Sequence, residues 1–178
     1  MKSGLEIFFW DNVELIVFLH ILSAIVWVGG MIAMRFAAHQ SFVHIENPAF
    51  RLERIAHALK RLFIIVAPFI LILIITAVIM AVGWGFRAAA VDADHNVIDA
   101  TAMMLYNFIH IKEGIWMIMT INYVYMVYRL IKATKALEAN DVISAKNYLE
   151  FIGKYLVPLN IILGIVALYL GVTLRYSH

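Results

Sequence analysis

The sequence predicts an all-α integral membrane protein, a single domain over residues 1–178 in which four transmembrane helices form a bundle. Hydrophobic residues make up 64% of the chain and charged residues only 15%, whereas a soluble domain has about 45–50% apolar and about 25% charged residues. The mean hydropathy is +0.88. A chain of this size cannot hide so much apolar surface in one water-soluble core, so the lipid bilayer is its predicted partner.

Four apolar runs reach the length of about 20 residues that a helix needs to cross a bilayer. They are residues 13–34, 62–84, 103–128 and 155–174. The first run is too long for a signal peptide and lacks its basic start, so we expect it to be retained. The third run crosses the membrane only if His110, Lys112 and Glu113 lie within it. A re-entrant or interfacial segment is the alternative for that run.

Basic residues cluster in two of the loops, and this pattern predicts the orientation. Ten of the fourteen lysines and arginines follow the first or the third run, while the loop between the second and third runs carries Asp92, Asp94 and Asp99. Because loops rich in lysine and arginine stay in the cytosol, both termini are predicted to lie on the opposite side of the membrane. The net charge of only +2 excludes the strong electrostatic footprint of a nucleic-acid-binding protein.

The helices are predicted to extend into the cytosol beyond the bilayer. Asn47 followed by Pro48 is typical of a helix start and precedes the second apolar run by some fourteen residues. The third helix is predicted to continue to about Glu138, and Asp141 is predicted to cap the fourth helix. Pro158 is predicted to kink that fourth helix.

Two histidines lie at matching depths in different spans. His20 and His110 are each seven residues inside the outer end of their apolar run, which places both about 10 Å below the outer surface. An ionisable side chain at mid-bilayer costs roughly 2.5–3.5 kcal/mol, so it is a functional candidate. Two imidazoles at one level can hold a single metal, and a haem iron is the predicted occupant of such a bundle. A packed or hydrogen-bonded pair is the alternative.

The residues that follow His20 predict a site for a flat cofactor. Ser23, Ala24 and Trp27 lie on the same stripe of the helix and would supply small neighbours and an aromatic wall. Close packing of helices is the alternative reading of the small residues.

Three further charged residues complete the candidate site. Glu113 shares a helix face with His110 and is predicted to ligate the metal or to orient the imidazole. Lys112 lies about 200° around the helix from His110, so we predict an acidic partner, a cofactor propionate or a substrate for it. Arg35 closes the first helix, where a charge that reaches the headgroups is the alternative to a functional role.

The motifs of these helices resemble two related bacterial families. The matching residues are Leu19-His20, Trp27-Val28-Gly29-Gly30, Arg35, His39, Arg54 and Pro68, His110-Ile111-Lys112, and Pro158. Over the membrane part they resemble the HemJ-type protoporphyrinogen IX oxidases. The Trp-x-Gly-Gly form is similar to that of the CopD-type copper-resistance membrane domains.

The resemblance to the HemJ type implies a bound b-type haem, with His20 as the best candidate ligand. It also implies oxidation of protoporphyrinogen IX, with electrons passed to quinone or the respiratory chain. Arg35 and Lys112 match the basic positions that are essential in that family, so they are the candidate catalytic residues. Their cationic side chains would meet porphyrin propionates.

Three functions therefore stay open at the level of sequence. The first is a haem-dependent porphyrinogen oxidase. The second is a b-type cytochrome subunit that transfers electrons without acting on porphyrinogens. The third is CopD-like copper transport or resistance, for which Met80, Met103, Met104, His95 and His178 offer soft or imidazole ligands. Association into a homo-oligomer also stays open.

Overall fold

The computed structural model describes residues 3–176, apart from the side chains of residues 39, 175 and 176. This part of the chain is 88% helical and contains no β-strand, which confirms the predicted all-α class. Its helices are α1 (Gly4–Asp11), α2 (Val13–Phe42), α3 (Pro48–Gly83), α4 (Phe86–Ala90), α5 (Ala100–Glu138) and α6 (142–176).

Four of these helices, α2, α3, α5 and α6, are long and apolar enough to cross a membrane. This confirms the four predicted spans, including the third, which runs unbroken through its ionisable residues. Large apolar side chains also face outward, and Phe36, Leu71, Ile121 and Tyr169 are all more than 60% exposed. An apolar surface on every spanning helix is typical of contact with lipid.

The predicted helix ends are confirmed by their capping geometry. The Asn47 side chain accepts hydrogen bonds from the backbone amides of Ala49 at 3.0 Å and Phe50 at 3.2 Å, and Pro48 is the first residue of α3. At the start of α6, the Asp141 carboxylate accepts a hydrogen bond from the Ser144 amide at 3.0 Å. These side chains satisfy amides that have no partner inside the helix.

Three π-helical turns interrupt the spanning helices. Two lie in α2, at Ile25–Gly29 and Met34–Ala38, and one lies in α6, at Ile152–Leu156. The turn in α6 comes just before Pro158, where the missing N–H and the proline ring disturb the regular hydrogen bonds. A widened turn therefore lies where the sequence predicted a kink. Such turns are frequent at functional sites, and the first contains Trp27.

Two short helices, which the sequence analysis did not predict, cover one end of the bundle. We call this end, formed by α1, α4 and the α4–α5 loop, the capped end. Ser3 and Glu6 form a reciprocal capping box at the start of α1, and the buried Phe9 ring packs edge-on against Trp84 at 5.5 Å and directly over Gly83. The opposite end carries the ten clustered lysines and arginines, and we call it the basic end. Its cytosolic orientation stays a prediction.

Candidate functional site

A cavity of about 350 Å³ lies between α2, α3, α5 and α6. Trp84 and Phe86 are among its walls, which places it toward the capped end. Its volume is at the lower end of the range of about 300–1,000 Å³ that small-molecule sites occupy. The walls are mostly apolar, and the ionisable residues that line it are His20, Lys112 and Glu113. We call it the central cavity.

The imidazole of His20 is held by a threonine on the neighbouring helix. His20 Nδ1 lies 3.0 Å from the Thr76 hydroxyl oxygen. The same hydroxyl lies 2.7 Å from the backbone carbonyl of Ile72 and 3.0 Å from that of Leu73. When it donates to either carbonyl it accepts from the ring, and the proton of a neutral His20 is then on Nδ1, with the lone pair on Nε2.

Lys112 lies half-buried in the cavity wall without a counter-ion. The one ion pair found among the described residues joins His110 to Glu113, so no acidic side chain lies at ion-pair distance from the ammonium group. Its Nζ lies beside Gly171 of α6, where an added Cβ would be 3.1 Å away. A cation without a partner at this depth is costly, and an acidic ligand would offset that cost. The described residues do not include the acidic partner on another helix that the sequence left open for Lys112.

Two tryptophans at the same cavity have indole N–H groups without partners. Trp27 is 1% exposed, and both Trp27 Nε1 and Trp116 Nε1 are buried with no hydrogen-bond acceptor in the described part of the chain. Both side chains line the central cavity. A buried donor that is left unsatisfied costs about 1–3 kcal/mol. Each of these groups therefore favours a ligand that brings acceptor atoms.

Three of the polar residues at the cavity offer hydrogen-bond donors to a ligand. Lys112, Trp27 and Trp116 offer donors, and His20 offers the Nε2 lone pair. Glu113 is the acidic lining residue, and its carboxylate is engaged with His110. The arrangement suits a mostly apolar ligand that carries carboxylate or carbonyl oxygens, with or without a metal for His20 to bind.

The structure does not bring the two predicted metal ligands together. The His110 side chain is 53% exposed, pairs with Glu113 at 3.0 Å and packs edge-on against the Tyr106 ring at 4.5 Å. It does not line the central cavity, whereas Lys112, on the other side of α5, does. The physical reason is the rotation of α5, because only one of two residues about 200° apart can face the bundle interior.

The other predicted site residues do not lie together in one site. Ala24 and Trp27 line the central cavity, while Ser23 is fully buried and donates its hydroxyl to the Leu19 carbonyl at 2.7 Å. Arg35 lines a second pocket at the basic end. Arg35 and Lys112, the two candidate catalytic residues, therefore do not meet in one site.

Among the described residues, no group of three or more histidine, cysteine, aspartate or glutamate side chains is arranged to hold a metal ion. Of the methionines named from the sequence, Met80 lines the central cavity and the other two do not. His178 and the side chain of His39 lie outside the described residues.

Sequence reasoning missed four polar residues inside the bundle, which are Thr76, Trp116, Asn122 and Asn160. A signal existed for two of them. Thr76 is a hydroxyl residue within an apolar run that carries no charge, and Trp116 lies one helical turn after Lys112 and so on the same face. The two asparagines are 7% and 1% exposed and join α5 to α6.

The chain was compared with protein families, curated proteins and solved structures, and no family model, curated sequence or solved structure matches it. Fold and site together define a multi-pass helical membrane protein with a donor-lined cavity inside its bundle.

Proposed function

We propose that the protein is a membrane redox protein that holds a b-type haem in the central cavity, where His20 would bind the iron. The observation that carries the proposal is the His20–Thr76 hydrogen bond, in a cavity that is also lined by a lysine without an ion pair among the described residues. When bound, haem supplies an iron that gains and loses one electron. The resemblance to the HemJ-type family agrees with this choice.

The residues present fit such a group. Histidines that ligate metals almost always form a hydrogen bond through their other ring nitrogen to a fixed partner, and Nδ1 of His20 is hydrogen-bonded to Thr76. Lys112 would bind a propionate through its charge, and the indole N–H groups of Trp27 and Trp116 would donate to further oxygens. The small side chain of Ala24, which lines the cavity, leaves room for a flat ring.

We propose electron transfer rather than porphyrinogen oxidation as the activity. A porphyrinogen oxidase of the HemJ type would bring Arg35 and Lys112 to one dicarboxylic substrate, but these residues line different pockets. An electron-transfer subunit needs only the haem and an exit for the electron to quinone or a respiratory partner. The walls of the central cavity are apolar and would keep water from the ring.

The optical spectrum of protein purified in mild detergent tests this proposal. We expect a Soret band that His20→Ala abolishes. Thr76→Val should weaken haem binding by about 10–100-fold, because the imidazole loses the acceptor that orients it. His57→Ala is the matched control and should leave the band unchanged, since this histidine is exposed on α3 and does not line the cavity.

Two outcomes would overturn the haem proposal. One is a colourless protein, and the other is a band that depends on His110 and not on His20. If this protein rescues a strain that lacks protoporphyrinogen oxidase, its function is not restricted to electron transfer, and it acts as a porphyrinogen oxidase.

Copper binding is the second candidate, and a specific observation favours it. Met80 and Met119 line the central cavity together with His20, and thioether and imidazole ligands suit Cu(I). A colourless sample that contains one copper per chain, lost in Met80→Leu and Met119→Leu, would support this function. A sample with haem and no copper would exclude it.

The proposal includes the orientation, with the basic end in the bacterial cytosol and the central cavity near the outer leaflet. The chain has no cysteine, so single cysteines report their side of the membrane without background. In intact cells a membrane-impermeant maleimide should label Asp94→Cys, in the α4–α5 loop, and should not label Lys135→Cys, near the end of α5. The reverse pattern would invert the topology.

A further inference from the structure

A second pocket, of about 270 Å³, lies at the basic end between the late part of α2 and the first turns of α3 and α6. Its floor is apolar. Leu52, Leu59 and Leu149 are 8%, 3% and 4% exposed, and Ile55 and Val157 complete the surface. We call it the basic-end groove.

The rim of this groove carries positive charge that the protein does not neutralise. Arg35, Arg51 and Lys146 line it, and Glu150 is the acidic residue there. None of the three cations has an ion pair in the described part of the chain. Three cations and one carboxylate leave the rim with a net charge of +2.

The groove begins where the apolar runs of the spanning helices end. Arg35 directly follows the apolar run of α2, and Arg51 and Leu59 precede the apolar run of α3, which begins at residue 62. One side of the groove therefore borders the hydrocarbon region and the other borders the basic end. Basic pockets between spanning helices on that side of a membrane are suited to anionic headgroups.

We infer that the basic-end groove is a binding site for an anionic phospholipid. The phosphate lies between Arg35, Arg51 and Lys146, and the glycerol and upper acyl carbons lie along the leucine floor. Inorganic phosphate could use the charges but would leave the apolar floor uncovered, whereas a phospholipid covers both. This inference uses none of the residues of the central cavity and stands whether or not haem binds there.

Binding of labelled phosphatidylglycerol to the purified full chain in neutral detergent tests the inference. Near a membrane surface each lysine or arginine contributes about 1 kcal/mol, which is about fivefold in affinity. We expect Arg51→Gln and Lys146→Gln each to weaken binding about fivefold and the double variant about 25-fold. Unlabelled phosphatidylglycerol should displace the label, and phosphatidylcholine and inorganic phosphate should not.

Two further variants separate a local site from misfolding and from the general positive field. Glu150→Gln removes the acidic charge of the rim and should tighten binding by a similar factor, a gain that damage to the fold cannot imitate. Lys60→Gln is the matched control, because Lys60 is exposed on α3 and does not line the groove, and it should leave the affinity unchanged. Equal losses for Lys60→Gln and Arg51→Gln would overturn the inference, as would full displacement by inorganic phosphate.

Discussion

A buried pair of asparagines joins α5 to α6 in the middle of the bundle, and its removal gives a sharp test of the packing. Asn122 Nδ2 donates to the Leu156 carbonyl at 2.8 Å and to Asn160 Oδ1 at 2.7 Å. Asn160 Nδ2 donates in turn to the Met119 carbonyl at a longer 3.4 Å. Asn122 therefore donates the two short hydrogen bonds, and Asn160 donates the long, weak one.

The magnitude follows from what each substitution leaves behind. Asn122→Leu keeps the side-chain size but leaves the Leu156 carbonyl and Asn160 Oδ1 without these donors. Hydrogen bonds between membrane helices contribute about 0.6 kcal/mol on average and at most about 1.7 kcal/mol. We expect Asn122→Leu to cost about 1–2 kcal/mol. Asn160→Leu should cost less than Asn122→Leu, because Asn122 keeps its hydrogen bond to the Leu156 carbonyl and the bond from Asn160 to Met119 is long.

The double variant supplies the decisive comparison. Because both single variants break the same Asn122–Asn160 bond, their costs should not add, and the double variant should fall short of the sum by about 0.6–1.7 kcal/mol. Reversible unfolding with sodium dodecyl sulfate in mixed micelles, followed by circular dichroism, measures all three. Asn107→Leu, at an exposed position of α5, is the control and should change stability by no more than about 0.5 kcal/mol. Additive costs would refute the shared hydrogen bond.

Two further predictions concern glycines of α5 and α6 and the α4–α5 loop. Gly114→Ala, where an added Cβ meets nothing, should stabilise α5 by about 0.5–1 kcal/mol in the same unfolding assay. Gly171→Ala should gain less because its Cβ would lie 3.1 Å from Lys112 Nζ, and it should recover the full gain in a Lys112→Ala background. In the loop, hydrogen bonds from the backbone amide and side chain of Asn96 hold the pKa of Asp92 below its usual 3.8. Since the folded pKa is the lower one, this local stabilisation is present above the unfolded pKa and is lost as the pH falls through the folded pKa. The amide of Asn96 should therefore lose protection from hydrogen exchange in acid, and Asp92→Asn should abolish this pH dependence.

The sequence was sufficient for the features that depend on local chemistry. A run of apolar residues has bilayer length wherever it lies, and a cap such as Asn47 or Asp141 acts on amides two or three residues away. Both kinds of feature are encoded within one stretch of chain. The four spans, the extension of α3 and α5 beyond them and the class of the protein were therefore predictable from the order of the residues alone.

Which side chains line the central cavity depends on how the helices pack against one another, and not on the local sequence. Membrane helices carry apolar residues on all sides, so hydrophobic periodicity does not identify the face that points inward. On α5 both His110 and Lys112 were polar candidates, and packing alone turned Lys112 into the cavity and His110 out of it. In the structure Lys112 shares its face of α5 with Ile115 and Met119, which are both buried.

Partners from distant parts of the chain were equally inaccessible before the helices were packed. Thr76 meets His20 across 56 residues of sequence, and Asn122 meets Asn160 across 38. The sequence by itself determined that this chain forms four helices of membrane-spanning length and that polar residues lie within them. Only the tertiary structure decided which of those residues share a cavity, because helix rotation and pairing depend on the summed packing of all four spans.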